Sequence, residues 1–314
     1  MRFGNLSKLI ALTFHYLCIM ISTIHQNSFR AWLLAARPKT LTATLIPVVT
    51  SSALAYSHSA FSWVPAVLCV IFAALMQIAA NFINDLFDFL KGTDGPERLG
   101  PKRACAQGWI SVKAMRIGIG VALVLACSAG LCLLPYGGWT LVLLGVACVV
   151  FAFLYTTLLS YCGFGDVLVW VFFGFVPVAG TYYVQAGSFP AEVWWLAAAS
   201  GLATDTLLVL NNFRDRDTDR TAGKRTIIVV FGERFGSLFY LGQGVAAYLC
   251  VAALTFYGYR FAAILPAVYL IPHFLTWREM VHIDRGVALN RILGLTSRNM
   301  LFFALFVAAA LLLG

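Results

Sequence analysis

Residues Phe61 to Asp94 read FSWVPAVLCVIFAALMQIAANFINDLFDFLKGTD. The first 24 carry no charge, and an α-helix needs ~20 apolar residues to cross a bilayer. Asn84, Asp85 and Asp88 then follow at once, set among Phe82, Ile83, Leu86 and Phe87. A membrane span that ends in carboxylates is the reading that organises the rest of the chain. Comparable apolar runs recur at 41–56, 112–134, 139–160, 164–185, 191–213, 236–256, 261–282 and 296–313, which with 61–84 makes nine expected spans. None shows the strict ~10-residue alternation of a membrane β-barrel.

Composition agrees. Of the 314 residues, 61% are hydrophobic and 11% are Asp, Glu, Lys or Arg, against about 25% charged in a soluble domain. That excludes a soluble enzyme, a secreted disulfide scaffold and a disordered protein. The expected fold is an all-α polytopic membrane protein with nine transmembrane helices. If the segment before residue 41 is cytoplasmic, 19 of the 20 bases from residue 29 onward fall in inside segments and only Arg260 falls outside. This is the positive-inside bias, so the N-terminus is expected in the cytoplasm. The net charge of +9 then reflects topology and anionic lipid, and nucleic acid is not an expected partner. Residues 1–28 form an N-terminal extension, and 29–314 a single transmembrane domain. The extension has an apolar stretch after Lys8 but no small-residue cleavage site. It reads as a cytoplasmic or interfacial segment, or as sequence upstream of the start codon used. The eight cysteines form no CxxC pair and the five histidines no HxxxH or HExxH set, so neither a disulfide framework nor a zinc site is expected.

Six of the 13 acids lie in two clusters, one after the second span and one after the sixth. Asn81, Asn84, Asp85 and Asp88 follow helical spacing and share one broad face, with Asp94 beyond. Asn211, Asp215 and Asp219 do the same, beside Asn212 and Asp217. In both clusters an Asn precedes an Asp by four, 130 residues apart in the chain, which suggests two equivalent helix ends facing each other. Like charges at helical spacing repel, and carboxylates are costly at the edge of hydrocarbon, so a counter-ion is expected. Hard oxygen donors in small number suit Mg²⁺, which binds through a few carboxylates plus substrate phosphate. Lys91, Arg98, Lys102 and Arg103 follow the first cluster, and Lys224 and Arg225 follow the second. Acids with bases in one loop fit a metal-bridged phosphate, here on a lipid diphosphate; each base also has a topological explanation.

These residues resemble the UbiA superfamily of intramembrane prenyltransferases, in particular its naphthoate branch. The resemblance runs from about Ala31 to the C-terminus. It rests on Ala36-Arg37-Pro38-Lys39-Thr40-Leu41, on Asn84 to Asp94, and on Arg98-Leu99-Gly100-Pro101. It continues through Gly163-Phe164-Gly165-Asp166, Phe172-Phe173-Gly174, Asn211 to Arg220, and Gly223-Lys224-Arg225-Thr226. Gly92 stands where many members have a third acid, and Asp94 follows two residues later, as in the naphthoate branch. The resemblance implies a helix bundle around a central cavity with both Asp-rich loops on its cytoplasmic side and a lateral opening for the isoprenoid tail. It implies two Mg²⁺ ions bridging a polyprenyl diphosphate to Asn84, Asp85, Asp88, Asp215 and Asp219. It further implies prenyl transfer to 1,4-dihydroxy-2-naphthoate with decarboxylation, in a bacterial cytoplasmic membrane; no protein partner is implied. The alternatives are another aromatic acceptor (hydroxybenzoate, homogentisate or a chlorophyll precursor), a secondary transporter, or a phosphatidyl transferase, whose DxxDGxxAR pattern is missing. Three positions stay open. Asp205, inside the sixth span, either faces the cavity and handles the aromatic substrate or is an acid bonded to a neighbouring helix. Asp166 starts the fifth span, where a helix N-terminus favours an anion. Tyr155 ends the fourth span, in reach of diphosphate or ring, or merely packs.

Overall fold

The computed structural model describes residues 24–314, apart from Thr93, Asp94, Pro96, Glu97, Ser160 and the side chain of Lys39. Most of the N-terminal extension and Asp94 therefore lie outside the described residues. All regular structure among the described residues is helical. A short helix α1 (Phe29–Ala36) is capped by Ser28, whose side chain accepts from the Ala31 N–H. It stops at Arg37, which adopts the left-handed conformation at φ 52°. Pro38 then opens α2 (Pro38–Ser57), a first-turn position where its missing N–H costs nothing. The remaining long helices are α3 (Trp63–Leu90), α4 (Val112–Leu131), α5 (Thr140–Leu159), α6 (Gly165–Ala186), α7 (Ala191–Thr221), α8 (Glu233–Tyr257), α9 (Leu270–Ile283) and α10 (Leu289–Leu313).

Eight of these, all but α1 and α9, are long and apolar enough to cross a membrane. The expected eighth run, 261–282, is broken. Pro266 opens a 3-10 turn, Pro266–Tyr269, and α9 follows with 14 residues, about 21 Å of α-helix. Two spans run further than their hydropathy suggests. α3 continues to Leu90 and α7 to Thr221, so Asn84, Asp85 and Asp88 of the first cluster and the whole of the second sit on the last turns of helices and not in loops.

α7 is the central helix, 72% of its apolar window being buried, whereas α5 is peripheral at 11%. Small residues at Ala197, Ala199, Ser200, Gly201 and Ala203 allow the close approach around α7. At its tightest point, a Cβ added to Gly174 would lie 2.5 Å from the Ala197 carbonyl oxygen. There α6 makes a π-helical turn, Trp170–Phe175, and the Phe173 carbonyl accepts from Ser200 Oγ at 2.9 Å.

Candidate active site: two acidic helix ends at the mouth of an apolar cavity

A cavity of about 610 Å³ lies between α2, α3, α4, α5, α6 and α7, within the 300–1,000 Å³ range of ligand pockets. The stripe of α3 that faces it runs through Cys69, Phe72, Met76, Ala80 and Asn84, and that of α7 through Thr204, Leu207, Leu208 and Asn211. The apolar walls therefore end in one Asn on each helix, and four residues later, one helical turn on, stand Asp88 and Asp215. The helix ends brought together are Asn84–Asp88 and Asn211–Asp215; Asn81–Asp85, the pair at the 130-residue spacing, is off the cavity wall. Tyr155 and Thr40 also line the cavity, with Phe151, Phe172 and Phe173 above them. Thr156 donates to the Asn84 side-chain oxygen and fixes its orientation.

The two helix ends meet electrostatically. Lys224 Nζ is 3.4 Å from Asp219 and also feels the Asp88 carboxylate. Burial alone would lower the Lys224 pKa, but the Asp219 and Asp88 charges outweigh it and leave the pKa raised. Asp88 is paired with Arg103 at 2.7 Å, and Lys224, Arg98, Arg37 and Lys91 also act on it. Lys91 Nζ sits 4.3 Å and Lys224 Nζ 5.2 Å from the centre of the Tyr161 ring, a cation–π arrangement. Lys91 also donates to the Thr156 and Thr157 carbonyls.

On the second helix, Arg214 grips Asp215 with two bonds of 2.8 and 2.6 Å and reaches Asn290 at 2.9 Å. Asn290 in turn donates to the Leu99 carbonyl at 2.7 Å. The loop from Arg98 to Pro101 is thus laid across the second cluster. Gly100 lies close against Arg214: a Cβ there would come within 2.8 Å of the guanidinium, which would have to shift.

Several expected site residues lie elsewhere. Asn81 is buried and stitches α3 to the α1–α2 junction, donating to the Ala36 carbonyl and Thr40 Oγ1 and accepting from Gln77. Asp85 is 1% exposed; its two oxygens accept from the Ala104 and Cys105 N–H groups, each at 2.8 Å. The single shared face was too coarse a reading, because consecutive residues such as Asn84 and Asp85 diverge by about 100° around a helix. Asn212 lines a separate chamber of about 20 Å³ with Tyr155, Asp166 and Thr226, room for about one water. Asp166 occupies the first turn of α6. Lys102 and Arg225 are exposed, and Arg98 donates to the Pro101 carbonyl. The sequence reading missed Tyr161 and Thr156, which carry no charge to flag them, and it took Arg37 as a topological base and as part of the motif before the first span, without a place in the site.

Asp205 is not part of the cavity wall. It is fully buried between helices, and its Oδ2 accepts from Trp170 Nε1 at 3.2 Å and Gln243 Nε2 at 2.6 Å. Its Oδ1 and Gln243 Oε1 are both without partners. Of the two readings of Asp205, the inter-helix bond fits the geometry. An Asn there keeps an acceptor for both donors and adds an N–H for Gln243 Oε1. Asp205→Asn is therefore expected to retain prenyl-transfer activity within about threefold and to fold normally, whereas Asp205→Leu strands two buried donors at ~1–3 kcal/mol each. Turnover and thermal stability of the two purified variants check this.

Among the described residues, no group of three or more His, Cys, Asp or Glu is placed to hold a metal alone. The available donors, Asn84, Asp88, Asp215 and Asp219, are hard oxygens spread over two helix ends and set among cations. That fits a cation completed by substrate phosphate and not a dedicated protein cage.

A family model described as the UbiA prenyltransferase family matches residues 44–292. Over 232 residues the chain is 34% identical to the 1,4-dihydroxy-2-naphthoate octaprenyltransferase of Escherichia coli (strain K12), covering 71% of this chain and 75% of that one. It is also 34% identical to the protein of the same name from Mycobacterium tuberculosis (strain ATCC 25618 / H37Rv) over 298 residues, covering 91% and 98%. Among solved structures, the apo UbiA homolog from Aeropyrum pernix K1 gives a TM-score of 0.66 at 17% identity over 87% of this chain and 97% of that one. The UbiA homolog from Archaeoglobus fulgidus bound to DMAPP and Mg²⁺ gives 0.61 at 13% identity over 88% and 99%. These two structural likenesses concern the fold. With a family match over most of its length and paired Asn–Asp helix ends at the mouth of one cavity, the chain belongs to the UbiA prenyltransferase family.

Proposed function

We propose that this protein transfers a polyprenyl group from an allylic diphosphate to 1,4-dihydroxy-2-naphthoate, with loss of CO₂, giving demethylmenaquinol, the hydroquinone form of demethylmenaquinone. The observation that carries the reading is the convergence of the Asn84–Asp88 and Asn211–Asp215–Asp219 helix ends, through Lys224, over an apolar cavity. The names of the relatives from E. coli and M. tuberculosis support the acceptor, and the DMAPP- and Mg²⁺-bound neighbour supports the donor and the metal. Asn84, Asp88, Asp215 and Asp219 would hold two Mg²⁺ ions together with the diphosphate. The metal, when bound, neutralises charge on the departing diphosphate.

The protein's own side chains do the rest. Lys91, Arg103 and Lys224 surround the acids and offer donors to phosphate oxygens. The allylic C–O bond breaks and its electron pair leaves with the diphosphate. The apolar walls keep water from the resulting carbocation, and the faces of Phe151, Tyr155, Phe172 and Phe173 stabilise it. A ring carbon of the naphthoate then bonds to C1 of the prenyl chain, the bond from the ring to the carboxylate breaks, and its electron pair restores the aromatic ring as CO₂ leaves, with no net proton released.

For topology, the 3-10 turn Pro266–Tyr269 and α9 together are proposed as a further span, the eighth of nine in chain order, with the N-terminus and the site on the cytoplasmic side of a bacterial inner membrane. Residues 29–314 are proposed to form one transmembrane domain. Asn27, just before it, already bonds the loop at Trp109 and Ser111.

The test is to offer the purified protein, with Mg²⁺, a mixture of prenyl diphosphates and three acceptors: dihydroxynaphthoate, hydroxybenzoate and homogentisate. Mass spectrometry is expected to find prenylated naphthol product lacking the carboxyl mass. Prenylated hydroxybenzoate as the main product, or substrate-coupled ion flux with no covalent product, would overturn the reading.

A further inference from the structure

We infer that Asp85 is a positioning residue: it pins the backbone at Ala104 and Cys105 so that the adjacent Arg103 reaches Asp88. The inference rests on the diphosphate site proposed above and assigns its first acidic pair two different tasks. Asp85 and Asp88 lie one turn apart on α3. The Asp85 carboxylate receives two consecutive backbone N–H groups, Ala104 and Cys105, at 2.8 Å each. The next residue upstream is Arg103, whose Nη2 donates to Asp88 Oδ2 at 2.7 Å. One carboxylate therefore holds the loop's main chain while the other receives the loop's side chain.

The loop is suited to transmit this constraint. It closes on itself through Gln107 N–H to the Arg103 carbonyl, Gly108 N–H to Cys105, and Trp109 and Ile110 N–H to Ala104. Two fixed N–H groups in such a turn set the position of the Arg103 Cα. The neighbours of Asp85 in the chain and on the loop, Phe82, Ile83, Leu86, Ala104 and Cys105, belong to one buried apolar cluster. A buried carboxylate beside such a cluster needs its hydrogen bonds. Metal ligation needs the opposite: an oxygen open toward the cavity mouth. Asp85 is 1% exposed, lies off the cavity wall, and has both oxygens engaged. Asn84 lines the cavity on α3 and Asp88 stands one turn beyond it, less buried and paired with the Arg103 side chain, whereas Asp85 meets the loop's main chain.

The experiment uses the full chain in nanodiscs with farnesyl diphosphate. It compares Asp85→Asn, Asp88→Asn, Arg103→Met and the Asp85→Asn/Arg103→Met pair. Asn at 85 keeps one acceptor but turns an N–H toward a backbone N–H, so one of the two pins is lost. Asp85→Asn is expected to raise KM for farnesyl diphosphate about tenfold while leaving the Mg²⁺ concentration for half-maximal rate within twofold. Arg103→Met is expected to do the same, and the pair is expected to be no worse than either alone. Asp88→Asn, by contrast, raises the Mg²⁺ requirement. If Asp85→Asn raises the Mg²⁺ requirement as Asp88→Asn does, and adds independently to Arg103→Met, the inference fails.

A second measurement needs no activity and no variant. Alkylation of the buried Cys105 by N-ethylmaleimide, followed by peptide mass mapping, is expected to stay slow with or without Mg²⁺ and farnesyl thiodiphosphate. Faster alkylation when both are added would show Asp85 releasing the loop to bind metal, and would overturn the inference even if Asp85→Asn did not fold. Absence of any Mg²⁺-dependent prenyl transfer by the unaltered protein would instead count against the proposed function, while increased Cys105 labelling in Asp85→Asn would still read the anchor.

Discussion

Asp88→Asn and Asp219→Asn are each expected to lower prenyl transfer by roughly 10²–10³-fold, the scale of losing one preorganised electrostatic contact at a reacting centre. Both substitutions are nearly isosteric. An amide at position 88 would still present an oxygen to Arg103, now 2.7 Å from Asp88. An amide at position 219 would do the same for Lys224, now 3.4 Å from Asp219. The fold should therefore survive and the loss should lie in turnover. Asp217 provides the contrast. It sits in the same acidic run, but it is 52% exposed and pairs outward with Arg220 and Arg285. Exposed pairs of that kind contribute about 0–1 kcal/mol, so Asp217→Asn is expected to stay within about twofold of the unaltered rate. Equal losses at 217 and 219 would mean that overall loop charge, and not a directed site, drives the chemistry. Initial rates at saturating Mg²⁺ separate the cases.

Gly174→Ala is expected to be the most damaging substitution for stability among single-carbon changes in the bundle. An added Cβ would stand 2.5 Å from the Ala197 carbonyl oxygen and 2.9 Å from the Gly201 Cα and nitrogen. All three are backbone atoms, so no rotamer change can make room. In return, a Cβ on Gly201 would meet the Trp170 backbone at 3.0 Å. The two glycines let the π turn of α6 lie against the centre of α7, and the turn carries Phe172 and Phe173 onto the cavity wall. Forcing the helices apart costs about 3 kcal/mol or more by the scale of overpacked interiors. It also displaces both cavity phenylalanines. Thermal unfolding in detergent should show a clear fall in Tm with partial loss of activity. Gly242→Ala is the control, because a Cβ there meets nothing within 4 Å, and it should leave Tm unchanged.

The parts of this architecture visible in the sequence are those where chemistry and hydropathy conflict. An Asn and an Asp at the margin of an apolar run have few reasons to be there, and the structure puts both such pairs at one cavity mouth. Eight of the nine expected apolar runs contain a helix able to span the membrane for the same reason: composition over ~20 residues is a strong signal. The signal weakens where geometry inside one turn matters. Periodicity placed Asp85 with Asp88, but the roughly 100° between neighbouring side chains separates a loop anchor from a cavity acid, and the N–H groups that claim Asp85 are 19 and 20 residues away. Nor could spacing select Arg103 and Lys224 from the other nearby bases, all of which satisfy the positive-inside bias. Pro266 interrupts the eighth run in a way that average hydropathy does not register. Asp205 was visible as an intramembrane acid, but its partners Trp170 and Gln243 come from two other helices.

If the two acidic helix ends hold one metal-bound diphosphate jointly, metal binding must depend on both ends and on the diphosphate. The most direct measurement counts bound Mn²⁺, as a stand-in for Mg²⁺, by electron paramagnetic resonance with and without farnesyl thiodiphosphate. Two Mn²⁺ per protein that bind only when the diphosphate is present, show phosphorus coupling, and are lost in either Asp88→Asn or Asp219→Asn are the predicted result. Metal that binds equally well without the diphosphate, or that persists when either acid is replaced, would contradict it.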